Sequence, residues 1–191
     1  MLECVVKYHE AEEKESKMTE IERLPKETVY AVMKDLLYTL NYSWFRLRDL
    51  ATVKYPEAPE SEEYLRLMDD FGSYEAKRLR KTLNVSDGGI DSLIQLLKHS
   101  HWAVFENIEV KKLTEKSFRM RTVECSAQRA AKRRGMSYYD CKLGSLSFRS
   151  GFFEAANQSA KTKRIFAPPE IRPGGTPENV SCEWLISIEE S

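Results

Sequence analysis

The hydrophobic residues of this chain change their spacing once, near His101, and that change limits the folds open to it. Upstream, Val29, Val32, Met33, Leu36, Leu37, Leu40, Trp44 and Leu47 recur every three or four residues as far as Leu50. This is the period of a long helix with one apolar stripe. Pro25 fits the first helical turn, where its missing N–H costs nothing. Two prolines in residues 55–59 interrupt the pattern. Ser61 then caps a second helix, with Glu62 and Glu63 in its positive first turn. Leu65, Met68, Phe71 and Leu79 form its apolar side, and residues 84–89 end it. A third helix, about residues 90–99, places Ile90, Leu93, Ile94 and Leu97 together. All three stripes predict faces turned to a core.

Downstream the period becomes two. Ile108 and Val110 alternate with polar neighbours over residues 107–113, residues 114–117 turn the chain, and Phe118, Met120 and Thr122 alternate after them. This is the pattern of a β-hairpin. Residues 126–134 return to helical composition and stop at Gly135, a left-handed cap. Residues 143–157 read as a helical or irregular crossover. Residues 161–167 read as a strand that Pro168-Pro169 blocks. After Gly174-Gly175, residues 181–188 set Cys182, Trp184, Ile186 and Ile188 on one face of a last strand. Helices first and strands later predict an α+β fold, with N-terminal helices packed on a C-terminal antiparallel sheet of about four strands joined by a helical crossover. Residues 1–23, with a charged run after His9, are expected to be a flexible N-terminal arm, and residues 24–191 a single α+β domain.

Charge narrows the function classes. Thirty basic side chains meet thirty acidic ones in 191 residues, so the chain has no general field to hold nucleic acid or an anionic membrane. Lys132-Arg133-Arg134, near Tyr138 and Tyr139, is read as a solvated helix end favoured by the helix dipole. No stretch approaches the roughly 20 apolar residues of a membrane span, and the start lacks a basic-then-apolar leader. The expectation is a cytoplasmic protein with no nucleic-acid or membrane partner. Four cysteines in such a setting are expected to be reduced.

Catalytic signatures are missing from the sequence: it has no phosphate-cradling glycine loop, no His-Glu-x-x-His and no Gly-x-Ser-x-Gly. His99 and His101 bracket the junction between helix and strand and are read as exposed. The cysteines form the one constellation with chemical content. Cys125 stands where a strand meets a helix, Cys141 follows in the next connection, and Cys182 opens the last strand. Thiols at element ends can converge at one rim of a sheet, where thiolates would serve as metal ligands or nucleophiles. Free cysteine is equally a small buried hydrophobe.

A resemblance adds to this reading. Cys125-Ser126-Ala127-Gln128, Gly135, Cys141, Gly144, Phe152, Pro168-Pro169-Glu170 and Cys182-Glu183-Trp184 resemble a family of uncharacterised prokaryotic cytosolic proteins. Trp44-Phe45, the stretch from Phe71 to Arg78, and Gly88-Gly89 extend the likeness upstream. More distantly, the ordered cysteines ending in Cys-x-Trp are similar to the L-2-amino-thiazoline-4-carboxylate hydrolase family and to vinyl-reductase-type ligand-binding domains. The chain departs from the family pattern at Ser126 and Ala131, where arginines are expected, and at Asn157-Gln158-Ser159, where Asp-Pro-Arg is. It departs again at Arg164 and Ala167, where further cysteines are expected, so any implied thiol set is reduced to three.

The resemblance implies an α+β domain with a pocket and a homo-oligomeric, often dimeric, state. The leading expectation is a small-molecule-binding domain with the pocket between helices and sheet. Its ligand-binding candidates are Cys125, Gln128, Cys141, Phe152, Cys182 and Trp184, with Tyr64 and Trp102 as further walls. No cofactor is assigned; the alternative is zinc on Cys125, Cys141 and Cys182. Two other functions stand beside it: hydrolysis of a small cyclic amide or amidine by a cysteine thiolate, and a dimeric structural or interaction protein.

Overall fold

The computed structural model describes residues 23–189; the predicted arm, including Cys4, lies almost wholly outside them. The chain divides into two units, Met1–Arg46 and Leu47–Ser191, and the second, which holds the sheet, is described by itself. Among the described residues the helices are α1 (Lys26–Lys54), α2 (Glu62–Thr82), α3 (Ile90–Lys98), α4 (His101–Phe105), α5 (Ser126–Arg133) and α6 (Lys142–Ala156). The strands are β1 (Asn107–Thr114), β2 (Ser117–Val123), β3 (Ala160–Phe166) and β4 (Val180–Ile188). They form one antiparallel sheet in the order β1-β2-β4-β3. The fold is α+β, as the change of period predicts.

Local signals set most boundaries. Ser61 Oγ accepts from the Tyr64 backbone N–H at 3.2 Å, the expected cap of α2. Gly135, at φ +75°, ends α5. There the Met136 N–H reaches the Ala131 carbonyl and the Gly135 N–H the Lys132 carbonyl, so the terminal carbonyls are satisfied as a Schellman turn satisfies them. Arg80, near the end of α2, donates to the carbonyls of Val85, Ser86 and Ala156, which ties the following loop to the end of α6.

Two differences from the sequence reading have physical causes. None of the residues of α1 is buried, and Met33, Leu36, Leu40, Leu47 and Leu50 are exposed. A stripe shows that a helix has one apolar side; it does not say what meets it. Second, α4 lies between the expected third helix and the hairpin. A helix of five residues is too short to show a period.

The sheet explains why the core sits where it does. On its inner face Phe118, Met120 and Thr122 of β2 pair with Ile186, Trp184 and Cys182 of β4, and all six are buried. Ile108, Val110 and Ile188, also expected in the core, are half-buried at its margin. The outer face alternates to Arg119 and Arg121, which flank the Glu183 carboxylate at 3.5 and 2.8 Å. Against the inner face lies α6, through Phe153 beside Phe118, and α2 packs on α6.

That helix crossing is close. A Cβ on Gly72 would stand 2.0 Å from the Phe148 carbonyl oxygen, and one on Gly151 would stand 2.1 Å from the Asp69 carbonyl oxygen. Glycine at these two positions lets the backbones of α2 and α6 touch. The crossing fixes the rotation of α6, and so the direction of Arg149.

Candidate functional site

The helix α6 is apolar around Phe148, Phe152 and Phe153, yet it carries Arg149, which is only 4% exposed. Its guanidinium lies over two indoles, 4.7 Å from the Trp102 ring centre and 4.4 Å from that of Trp184. Arg149 Nη1 donates to the Ser145 carbonyl at 3.2 Å, while Nε is buried with no partner. Arginine does not lose its proton in proteins, so this is a charge inside the core. Its aromatic surroundings continue: Trp102 meets Phe148 edge-on at 4.5 Å and tilts toward Phe152 at 5.5 Å.

The three downstream thiols come from three places to this region. Cys125 is the N-cap residue of α5, Cys141 is the N-cap residue of α6, and Cys182 faces inward on β4. Cys182 Sγ accepts from Trp184 Nε1 at 3.1 Å. Across the sheet it pairs with Thr122, whose buried Oγ1 has no partner. All three are free thiols close enough to feel one another's charge.

The ionisation of Cys125 and Cys141 is suppressed. Burial pushes the Cys141 thiol up to about 12, with Cys182 adding to it, and the nearby Arg149 charge only partly offsets this. A helix N-terminus ordinarily lowers a thiol's pKa; here desolvation outweighs it. Burial raises Cys125 further, and the Glu106 carboxylate raises it again. Glu106 Oε1 lies 3.8 Å from Cys125 Sγ, and the same carboxylate accepts from the Ser126 N–H at 2.8 Å and the Ser126 hydroxyl at 2.6 Å. Glu106 therefore caps α5 and adds its charge to the burial that keeps the adjacent thiol neutral.

Gln128 works on the backbone. Its side chain donates to the Tyr139 carbonyl at 2.8 Å and accepts from the Tyr139 N–H at 3.0 Å, holding the α5–α6 connection beside Cys141, whose Sγ is 3.8 Å from Gln128 Nε2. The Tyr139 ring supports the Arg48 guanidinium at 3.9 Å, and Arg48 donates to the Asp140 carbonyl at 2.7 Å. Tyr64 packs against Gly144, and burial raises its phenol above the ordinary range.

A profile describing a family of unknown function, DUF6125, matches residues 63–188, well over half of the chain. The chain belongs to this family. No curated protein and no solved structure matches it. The matched span of this DUF6125 member contains α6, the sheet and all three thiols, whereas the whole of α1 lies outside it.

Among the predicted site residues, Trp184 faces Arg149, Cys182 accepts the Trp184 indole hydrogen bond, and Cys141 lies near enough to feel the Arg149 charge. Gln128 acts on the connecting backbone, Phe152 belongs to the aromatic wall, and Cys125 stands next to Glu106. Among the described residues no group of three or more His, Cys, Asp and Glu side chains could hold a metal ion, the set Cys125, Cys141 and Cys182 included. Sequence reasoning missed Arg149, Thr122, Glu106 and Glu75. Glu75 grips His101 through its N–H at 2.6 Å and Nδ1 at 2.8 Å, so the predicted junction histidine is half-buried and held. Arg149 had a signal: a charge set between Phe148 and the Phe152-Phe153 pair of one helix. Glu106 and Glu75 had none, since their partners are 20 and 26 residues away.

Proposed function

We propose that this chain is a small-molecule-binding domain whose ligand is held between α6 and the inner face of the sheet. The observation that carries the reading is a pair of polar groups, one from α6 and one from β2, placed beside an aromatic wall without full partners. Arg149 Nε and Thr122 Oγ1 are both buried and unpartnered. Buried polar groups are ordinarily satisfied, and those that are not call for a functional or ligand explanation. A few convergent polar groups in aromatic surroundings are the usual composition of a ligand site. The likeness to vinyl-reductase-type domains points the same way.

The hydrolase alternative gains less support. A thiol nucleophile attacks as thiolate, and Cys125 and Cys141 are both held protonated. Glu106, the carboxylate next to Cys125, is already engaged by Ser126.

A thermal-shift screen of a metabolite library tests the binding reading. At least one compound is expected to raise the melting temperature in proportion to the logarithm of its concentration, as ligand linkage requires. A library without any such compound would move the second reading to first place.

That second reading is a homodimeric interaction protein, and the exposed stripe of α1 favours it. Val29, Met33, Leu36, Leu40, Ser43, Leu47 and Leu50 alternate in steps of four and three, the spacing of a coiled-coil seam. Light scattering across a hundredfold concentration range reads the outcome directly. Two chains in the wild type and one in a Leu40→Glu/Leu47→Glu variant would support the seam. A wild-type monomer throughout would remove it.

A further inference from the structure

We propose that the ligand of this site is a small organic carboxylate, bound through the Nε edge of Arg149. The inference deepens the small-molecule reading and rests on it. It starts from an imbalance of charge. Among the described residues, Arg119, Arg121, Arg134 and Arg164 each meet a carboxylate, and Arg149, more buried than any of them, meets none. The two indole faces attract the cation, as aromatic faces do, but they accept no hydrogen bond from Nε. A buried cation is costly unless it is both paired and hydrogen-bonded. The thiol nearest in chemistry, Cys141, cannot serve as the counter-charge at neutral pH, because burial and Cys182 keep it protonated.

The missing partner must therefore bring one negative charge and an acceptor oxygen. A carboxylate does both, and its two oxygens match the parallel donors along one edge of a guanidinium. A phosphate dianion would leave a second charge without a balancing cation beside it. Trp102, Phe148 and Phe152 line the neighbouring core, so the body attached to the carboxylate is apolar or aromatic. Thr122 Oγ1, buried on the inner face beside Cys182, offers a second polar contact without a present partner.

The experiment compares acids with their own amides. Acetate, benzoate and octanoate are each titrated against acetamide, benzamide and octanamide, with melting temperature and calorimetric affinity as readouts. The expected result is that at least one acid binds ten times more tightly than its amide. The same acid should lose that advantage in Arg149→Met and bind at least tenfold more weakly to Arg149→Lys, which keeps the charge without the fork. Equal binding of every acid and amide overturns the carboxylate inference, and so does an acid preference that survives in Arg149→Met. Either result leaves the small-molecule reading standing. If none of the six probes binds, the carboxylate inference also falls, and the library screen alone decides the broader reading. The acid–amide comparison is made in the wild-type chain, so the inference stays falsifiable even if a variant fails to fold.

Discussion

Gly151 of α6 lies against Asp69 of α2 so closely that a Cβ on the glycine would stand 2.1 Å from the Asp69 carbonyl oxygen. The same crossing brings Gly72 to the Phe148 carbonyl oxygen. Backbone meets backbone at both points, so no side chain can rotate away to make room. Gly151→Ala is expected to cost about 3 kcal/mol, the upper range for overpacking a core. Gly135→Ala, strained only by its positive φ, should cost about 1 kcal/mol. Urea denaturation of the two variants measures the difference. Equal midpoints would mean that the crossing is not tight.

Cys125 and Cys141 make stability depend on alkaline pH. Their folded pKa is raised above the unfolded value, so the unfolded chain gives up protons first. Stability is then full below the unfolded thiol range, near pH 9, and falls as pH rises from there toward about 12 for Cys141. The slope is at most about 1.4 kcal/mol per pH unit for each such thiol. Denaturation midpoints between pH 8 and pH 10.5 should decline in the wild type and decline less in Cys141→Ala. Alkylation resolved by mass spectrometry should find Cys125 and Cys141 slow at pH 8 and fast in urea. Rapid labelling of either native thiol at pH 7 would restore the nucleophile reading.

Glu106 links a helix cap to a thiol. Its carboxylate accepts two hydrogen bonds from Ser126 and raises Cys125 by charge. Glu106→Gln should cost about 1–2 kcal/mol through the weakened cap. Removing the negative charge should also lower the Cys125 pKa and speed its alkylation. A structural role alone would speed labelling by the same factor at every pH, through more frequent opening, so a change in the pH dependence of the rate at Cys125 decides whether the charge is felt there.

The legible part of the chain was whatever local physics writes into spacing. The change from period three-and-four to period two gave α2, α3, the hairpin and the inward face of Cys182, Trp184 and Ile186. Ser61 and Gly135 marked their helix ends because a cap is a short-range hydrogen-bonding problem. Placing Cys125 and Cys141 at element boundaries was also readable, and both are N-cap residues. What escaped depends on contacts between distant segments. Nothing in the spacing of Arg149 says that Trp102 and Trp184 will enclose it. Nothing near Glu106 announces Ser126. The stripe of α1 was readable as a stripe, but its exposure is a property of what lies beside it.

The most direct measurement of the central claim is the stability of Arg149→Met in protein refolded from urea into buffer free of organic acids. If Arg149 is held for a ligand, its charge is a burden on the empty protein. Methionine, of similar length and uncharged, should then leave stability unchanged or raise it by up to about 4 kcal/mol, as replacing buried charges by apolar side chains does. That gain should come with loss of carboxylate binding. A loss of about 3 kcal/mol or more would show that the guanidinium between Trp102 and Trp184 holds the fold together, and would contradict its assignment to a ligand.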